Sequence, residues 1–202
     1  MLIQDFKEKT LAVIDKNRGS RIMPGKIEVI TGPMFSGKTT ELLRRLERYV
    51  LAGKTYIFMK PSIDTRRQPA CIKTTRSTLE ITPVAIKHPD YTNPTTDIIV
   101  FDESQFFDDF TEFCQRQRDK GKILLIGGLD MDYQRKPFGC MGQLMSIADS
   151  VTKLTAICSC GEEAIYTKKI AGNSKQIEIG DKDKYIPCCA DCYKEGFRER
   201  EN

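Results

Sequence analysis

The sequence lacks the features of a membrane or secreted protein. Among its 202 residues no apolar run approaches the roughly 18 residues that a membrane-spanning helix needs, which excludes a membrane span. Residues 1–21 alternate charged and apolar side chains, without the apolar stretch and small-residue cleavage site of a signal peptide. We therefore expect a cytosolic protein. The single histidine, His88, precedes Pro89 in a loop-like stretch, and no partner for a catalytic role is visible near it.

The charge balance gives no sign of a nucleic-acid binder. The formal net charge of +4 permits anionic ligands, but there is no basic stripe interleaved with stacking aromatics. Hydrophobic residues make up 40% and charged residues 30% of the chain. This composition supports a packed core and argues against disorder. The length suits one domain of ordinary size with at most a small appendage.

Apolar strands alternate with helical segments over the first three quarters of the chain. Strands are predicted at 26–30, 56–59, 98–101 and 123–126, and helices at 40–51 and 109–120. This alternation predicts an α/β fold with a parallel sheet flanked by helices. The composition then changes, with more cysteine, lysine and glycine. We predict an N-terminal arm at 1–25, with a short helix at 6–14, a main domain at 26–150, and a small domain at 151–202.

A complete phosphate-binding motif follows the first strand. It consists of Gly32, Pro33, Met34, Phe35, Ser36, Gly37, Lys38 and Thr39. Between a strand and a helix, the glycines let successive backbone N–H groups point at phosphate oxygens, and the helix N-terminus adds positive potential. Lys38 is expected to reach the β- and γ-phosphates of ATP, and Thr39 to offer its hydroxyl to Mg²⁺. The main domain is therefore predicted to be P-loop NTPase-like.

Two carboxylates, Asp102 and Glu103, follow the strand at 98–101. Ligands of an open parallel sheet bind beyond the carboxyl ends of its strands, so this pair is expected to face the phosphate loop. Asp102 suits a role in holding Mg²⁺. Glu103 is a candidate general base for an attacking hydroxyl group.

Taken together, these residues and several others resemble the type II thymidine kinases, the cytosolic class with a zinc-bearing C-terminal domain. The matching segments are 32–42, 64–66 (Asp-Thr-Arg), 102–107 (Asp-Glu-Ser-Gln-Phe-Phe), 128–130 (Gly-Leu-Asp), 135–139 (Arg-Lys-Pro-Phe-Gly), 164–168 (Ala-Ile-Tyr-Thr-Lys) and 185–187 (Tyr-Ile-Pro). They occur in order and span roughly residues 26 to 193. The resemblance implies transfer of the γ-phosphoryl group of ATP to the 5′-hydroxyl of thymidine or deoxyuridine.

The resemblance also assigns roles to individual residues. Glu103 falls on the catalytic base, and Arg66 on an arginine that steadies the transferred phosphoryl group. Ser104 and Gln105 belong to the same ATP-site segment as Asp102. Aromatic walls of the nucleoside pocket fall on Phe106, Tyr133 and Phe138, and positions around the thymine methyl group on Met34, Leu129, Thr167 and Tyr185. A loop at 168–184 is expected to cover the base, with main-chain contacts at Ile177, Ile179 and Gly180.

Five of the eight cysteines lie close together near the C-terminus, and two pairs of them suit a tetrahedral S₄ zinc site in a small domain. We predict that Cys158, Cys160, Cys189 and Cys192 bind one structural Zn²⁺. The family pattern has two residues between the first two ligands, whereas here only Ser159 separates them. Cys188 could replace one ligand, or the thiols could bind no metal. The scattered Cys71, Cys114 and Cys140 are expected to be buried.

Two other functions remain open at this point. The same site could phosphorylate another nucleoside, because a base-covering loop could accept a different ring. Alternatively, the chain could be an ATPase whose zinc ribbon binds nucleic acid. The resemblance favours small-molecule substrates, ATP and thymidine, and implies a homotetramer.

Overall fold

The computed structural model describes residues 25–65, 72–73, 80–89, 95–172 and 176–195. Its strands are β1 (Lys26–Thr31), β2 (Tyr56–Pro61), β3 (Ile72–Lys73), β4 (Glu80–Ile81), β5 (Val84–Ile86), β6 (Ile98–Phe101), β7 (Ile123–Gly128), β8 (Ser150–Lys153), β9 (Ala156–Ile157), β10 (Glu163–Ala164), β11 (Tyr166–Lys169) and β12 (Tyr185–Cys188). Its helices are α1 (Lys38–Leu51), α2 (Phe110–Asp119), α3 (Met141–Ile147) and α4 (Ala190–Glu195). The predicted N-terminal helix, Arg66 and Cys71 lie outside the described residues.

Six strands form one parallel sheet in the order β5-β2-β6-β7-β1-β8. This confirms the predicted α/β fold. The four strands predicted from apolar runs are the central ones, β2, β6, β7 and β1. Both edge strands are more exposed and escaped the sequence pattern. The outer strand β8 extends to Lys153, so the sheet continues past the boundary expected at residue 150.

The sheet is covered on both faces. On one face α1 buries Leu42, Leu43 and Leu46 against β1, β6 and β7. On the other face α2 and α3 cover Phe101, which packs edge-on against Phe110 with ring centroids 4.6 Å apart. Each large apolar side chain buried in this way contributes roughly 1.5–3 kcal/mol. None of the helices among the described residues is long and apolar enough to cross a bilayer.

A small module follows the sheet. It contains two antiparallel strand pairs, β9–β10 and β11–β12, and the short helix α4. Its own apolar core consists mainly of cysteines and small residues, among them Ala156, Ala164 and Cys188. So little apolar surface does not stabilise a module of this size alone. A cross-link between distant segments, such as a metal site, would supply the missing stability.

Candidate active site

The phosphate loop leaves β1 and enters α1 through a strained backbone. Gly32, Phe35 and Gly37 all have positive φ angles, of 138°, 64° and 83°. A Cβ at Gly32 would lie only 2.3 Å from the carbonyl oxygen of Leu154, so both the conformation and the space require glycine there. The ammonium group of Lys38 donates hydrogen bonds to the carbonyls of Gly32 (3.1 Å) and Pro33 (2.7 Å). The loop thereby holds this cation at the start of the helix.

A hydroxyl and a carboxylate meet where α1 faces the end of β6. Thr39 Oγ1 donates to Asp102 Oδ2 over 2.6 Å. Burial, and then the negative charge of Glu103, raise the pKa of Asp102 to about 6, although the Thr39 hydrogen bond and the charge of Lys38 oppose this rise. These oxygens are of the kind that Mg²⁺ prefers. Glycine at 127 makes room, since a Cβ there would lie 3.2 Å from Asp102 Oδ1.

Glu103 has a left-handed backbone, with φ 55° and ψ 41°. Such a conformation is uncommon for a non-glycine residue and often occurs at functional sites. Its N–H donates to Asp102 Oδ1 (3.0 Å), and its carboxylate oxygen Oε2 accepts a hydrogen bond from Gln105 Nε2 (2.7 Å). The two adjacent carboxylates therefore have different side-chain partners, Thr39 for Asp102 and Gln105 for Glu103.

Two cavities lie beside this turn. The first, which we call the phosphate cleft, is bordered by the loop from Met34 to Thr40 and by Asp102. Three lysines border it, Lys38, Lys60 and Lys182, together with acidic side chains that include Asp64. Lys60 and Asp64 are both buried, and Lys60 Nζ lies 3.8 Å from Asp64 Oδ2. The cleft combines cations for phosphate oxygens with carboxylates for a metal ion.

The second cavity, which we call the base pocket after the role that the family resemblance assigns to its residues, is lined mainly by apolar and aromatic side chains. Small-molecule sites are typically mainly apolar with a few placed polar groups. Its walls match this description, with Phe106 edge-on to Phe138 at a centroid separation of 5.6 Å, and Leu129 close by. Glu103 borders both the base pocket and the phosphate cleft. A ligand in either cavity therefore has access to the same carboxylate.

Residues 176–180 form one side of the base pocket, and we call residues 176–184 the covering segment. Gln176 Nε2 donates to Asp132 Oδ2 (2.7 Å), which ties the start of the segment to the main domain. Glu178 forms ion pairs with Lys169 (2.6 Å) and Lys184 (2.8 Å). Its carbonyl accepts a hydrogen bond from the hydroxyl of Tyr185 (2.8 Å).

Four thiols form a cluster in the small module. The sulfur atoms of Cys158, Cys160, Cys189 and Cys192 all lie within 4.8 Å of one another, and Cys160 Sγ is 3.6 Å from Cys189 Sγ. A tetrahedral zinc site with Zn–S bonds of about 2.3 Å places its sulfurs roughly 3.8 Å apart, so the cluster fits this ion. Burial opposes ionisation of Cys158, but backbone N–H groups of Cys160 and Cys189 lower its pKa to about 6.

The fifth cysteine, Cys188, is not part of this group of four. It is fully buried at the end of β12, where burial raises the pKa of its thiol to about 11. The one-residue spacing is accommodated by a tight turn in which Gly161 takes a φ of 94° and donates its N–H to the carbonyl of Cys158 (2.8 Å). The geometry thus brings together the set of thiols that the sequence predicts.

Comparison with known proteins agrees with this geometry. The family model described as thymidine kinase matches residues 25–193. The chain belongs to the thymidine kinase family. Human cytosolic thymidine kinase is 42% identical over 173 residues, which cover 84% of this chain and 73% of the human protein. The thymidine kinases of Porphyromonas gingivalis and Pseudothermotoga lettingae are each 40% identical and cover 90% and 85% of this chain, and 91% and 96% of their own lengths.

The residues that the family resemblance assigns to the nucleoside lie together in the structure. All ten residues that it assigns to the nucleoside border this one cavity. The buried side chains of Ser104 and Gln105 lie behind Glu103 and do not border either cavity among the described residues. As predicted, Cys114 and Cys140 are buried in the core. Arg66 lies outside the described residues, so its assigned role stays a prediction.

Several site residues of this thymidine kinase family member were not anticipated from the sequence. Lys60 and Lys182 border the phosphate cleft, while Asp132 and Glu178 hold the covering segment. The sequence contains a feature that could have identified Lys60, because a charged residue near the end of an otherwise apolar strand is unusual. No such feature identifies Glu178, since its partner Lys169 precedes the covering segment and is brought close only by the fold.

Proposed function

We propose that this protein is a thymidine kinase, which transfers the γ-phosphoryl group of ATP to the 5′-hydroxyl of thymidine, and of deoxyuridine. The observation that carries the proposal is the position of Glu103 between the phosphate cleft and the base pocket. A kinase needs a base at the point where its two substrates meet. A P-loop ATPase that binds nucleic acid would not require an enclosed pocket for one base beside that carboxylate.

In this proposal the phosphate loop binds ATP. Backbone N–H groups of the loop from Phe35 to Thr39 and the ammonium of Lys38 hold the phosphates, and Thr39 and Asp102 would hold Mg²⁺. Bound magnesium would neutralise charge on the phosphate oxygens. Arg66 is assigned to the transferred phosphoryl group, where a guanidinium fork can meet two equatorial oxygens.

The nucleoside occupies the base pocket. Phe106, Tyr133 and Phe138 enclose the ring, and Met34, Leu129 and Thr167 lie around the 5-methyl group. The covering segment presents main-chain groups at Ile177, Ile179 and Gly180 to the polar edge of the base. This orientation directs the 5′-hydroxyl at Glu103, which accepts the hydroxyl proton as the oxygen attacks the γ-phosphorus.

The four-thiol cluster holds a structural zinc ion in this proposal. Full coordination by Cys158, Cys160, Cys189 and Cys192 leaves no open position for substrate, so the metal contributes stability to the small module and no chemistry. A cytosolic location suits cysteines that stay reduced and bind a metal ion. A homotetramer is proposed from the family resemblance, and the mass of the purified protein in solution tests it.

The first test is a panel of nucleosides in one ADP-coupled assay. We expect thymidine and deoxyuridine to support turnover, and other nucleosides to support much less.

Glu103→Gln should lower kcat by about 10²- to 10⁴-fold, the usual contribution of a general base, while the variant still binds ATP. Near wild-type turnover in Glu103→Gln would disprove the base assignment. Preference for a different nucleoside would disprove the substrate assignment.

A further inference from the structure

The amide of Gln105 is held in one orientation by two hydrogen bonds. Its Oε1 accepts from the backbone N–H of Leu129 (3.0 Å), and its Nε2 donates to Glu103 Oε2 (2.7 Å). A backbone N–H can only donate, so the oxygen of the amide must face Leu129. The NH₂ group must then face the carboxylate of Glu103. The side chain is only 3% exposed, so water does not compete with either bond.

The surrounding backbone leaves space for this side chain. A Cβ at Gly128 would lie 2.8 Å from Gln105 Oε1, and a Cβ at Gly139 would lie 2.2 Å from the carbonyl oxygen of Gln105. Both contacts are closer than real Cβ atoms permit. Two glycines from separate segments therefore allow β7 and the loop before α3 to close around Gln105. The side chain is therefore closely packed, as a positioning group requires.

The hydrogen bond from Gln105 restricts the side chain of Glu103, whose orientation the backbone alone does not determine. The left-handed turn fixes the Cα of Glu103, but a glutamate side chain retains rotatable bonds beyond it. A donor of fixed orientation on Oε2 removes most of this freedom. A carboxylate has two oxygens with several lone-pair directions, so the hydrogen bond from Gln105 to Oε2 does not prevent it from accepting a proton.

We propose that Gln105 is a positioning residue that holds the carboxylate of Glu103 toward the nucleoside hydroxyl. This inference rests on the proposed kinase function. The family resemblance implies that Gln105 contacts ATP directly, whereas here Gln105 supports the catalytic base, Glu103. Gln105 acts through Glu103 and does not touch substrate. Its loss should therefore affect the rate of phosphoryl transfer and leave binding of both substrates largely intact.

The test uses Gln105→Met, which keeps the length of the side chain and removes both hydrogen bonds. We expect kcat to fall by about 10- to 100-fold, the effect of losing a hydrogen bond to a charged group, with KM for thymidine and for ATP unchanged within about twofold. Gln117→Met is the matched control, because Gln117 is also 3% exposed but lies in α2 away from both cavities. Its kcat should equal that of the wild type even if both variants lose thermal stability.

A double-mutant cycle separates positioning from a general loss of structure. If Gln105 acts through Glu103, adding Gln105→Met to Glu103→Gln should lower kcat little further. Losses that multiply would overturn the proposal, as would a kcat for Gln105→Met within twofold of the wild type. If Gln105→Met does not fold, Gln105→Leu replaces it, because an apolar side chain of similar size also removes the donor to Glu103.

The outcomes also distinguish this inference from the function on which it rests. Wild-type turnover in Glu103→Gln overturns both the base assignment and the role of Gln105. Loss of turnover in Glu103→Gln with normal turnover in Gln105→Met overturns only the role of Gln105.

Discussion

At the scale of single residues, Glu41 shows how one carboxylate helps to connect helix α1 to the sheet. It accepts hydrogen bonds from Arg44 (2.6 Å) and Arg45 (2.8 Å) in α1. Arg45 in turn donates to Glu28 of β1 (2.8 Å) and to Thr152 of β8 (2.7 Å). Because Arg45 is largely buried, these contacts fix the orientation of the helix that begins at the phosphate loop.

The same carboxylate makes stability depend on pH. Hydrogen bonding to Arg44, despite some burial, lowers the pKa of Glu41 from 4.5 to about 2. Its stabilisation is therefore fully present above about pH 4.5 and is lost as the pH falls toward 2. We expect Glu41→Gln to lose about 1 kcal/mol at pH 7, or roughly 2–4 °C in Tm, because the carboxylate is partly solvated. Thermal unfolding from about pH 5 to about pH 3 should then be less pH-dependent in the variant.

Glu112→Gln provides the control for Glu41. Glu112 pairs with Arg116 at 3.5 Å across an exposed turn of α2, where an ion pair contributes little. The Tm of Glu112→Gln should stay close to that of the wild type at every pH. Equal pH dependence in the wild type and Glu41→Gln would contradict the assigned role of Glu41.

The sequence predicted residues whose chemistry depends on near neighbours. The phosphate loop is one continuous segment with a characteristic spacing, and the pair at 102–103 directly follows an apolar strand. The role of Gln105 could not be derived in this way. It depends on the N–H of Leu129, just beyond the end of β7, and on glycines at 128 and 139, which only the folded chain brings together.

At the scale of structural elements, the covering segment depends on one buried carboxylate. The side chains of Glu178 and Lys169 are 12% and 8% exposed, so their ion pair is largely removed from solvent. Gly172, with φ 101°, lies so close that a Cβ there would be 2.4 Å from Glu178 Oε1. The segment is therefore fixed at a point between the two isoleucines that border the base pocket.

Loss of this carboxylate should weaken nucleoside binding selectively. In Glu178→Gln, two ammonium groups lose their counter-charge and the segment closes less well over the base. We expect KM for thymidine to rise about tenfold, equivalent to 1.4 kcal/mol, while KM for ATP changes little. Steady-state kinetics with each substrate varied in turn measures both constants.

Glu163→Gln is a suitable control, because Glu163 lies exposed in β10 of the same module. It should leave both KM values unchanged. An equal rise of KM for ATP in Glu178→Gln would instead indicate general damage to the site and contradict a specific role at the base pocket.

Element boundaries were predictable only where the periodicity was strong. Buried strands such as β6 are apolar at every position, and α1 repeats leucines on one face. The edge strands β5 and β8 have exposed side chains and one sheet neighbour each, so their sequences carry no such pattern. Their pairing is decided by the strands beside them.

At the scale of the whole molecule, the base pocket is built by both parts of the chain. The N–H of Met34 in the phosphate loop donates to Thr167 Oγ1 in β11 (3.0 Å). The hydroxyl of Tyr193 in α4 donates a hydrogen bond to the carbonyl of Tyr133 (2.6 Å). The guanidinium carbon Cζ of Arg135 lies 4.7 Å from the centroid of the Tyr193 ring. The small module therefore determines where one wall of the pocket stands, and its integrity should matter for nucleoside binding.

The cysteine cluster gives this dependence a direct test, because Cys189 and Cys188 are adjacent but differ in role. Cys189→Ser removes a sulfur of the four-thiol group, so zinc content should fall well below one ion per chain. Since Tyr193 follows the proposed ligand Cys192 in α4, KM for thymidine should rise while the phosphate loop still binds ATP. Cys188→Ser should retain one zinc ion per chain and lose only stability, since it changes a buried thiol outside the group. Metal analysis of the freshly purified proteins, together with steady-state kinetics, decides the matter: loss of zinc in Cys188→Ser with retention in Cys189→Ser would reverse the ligand assignment.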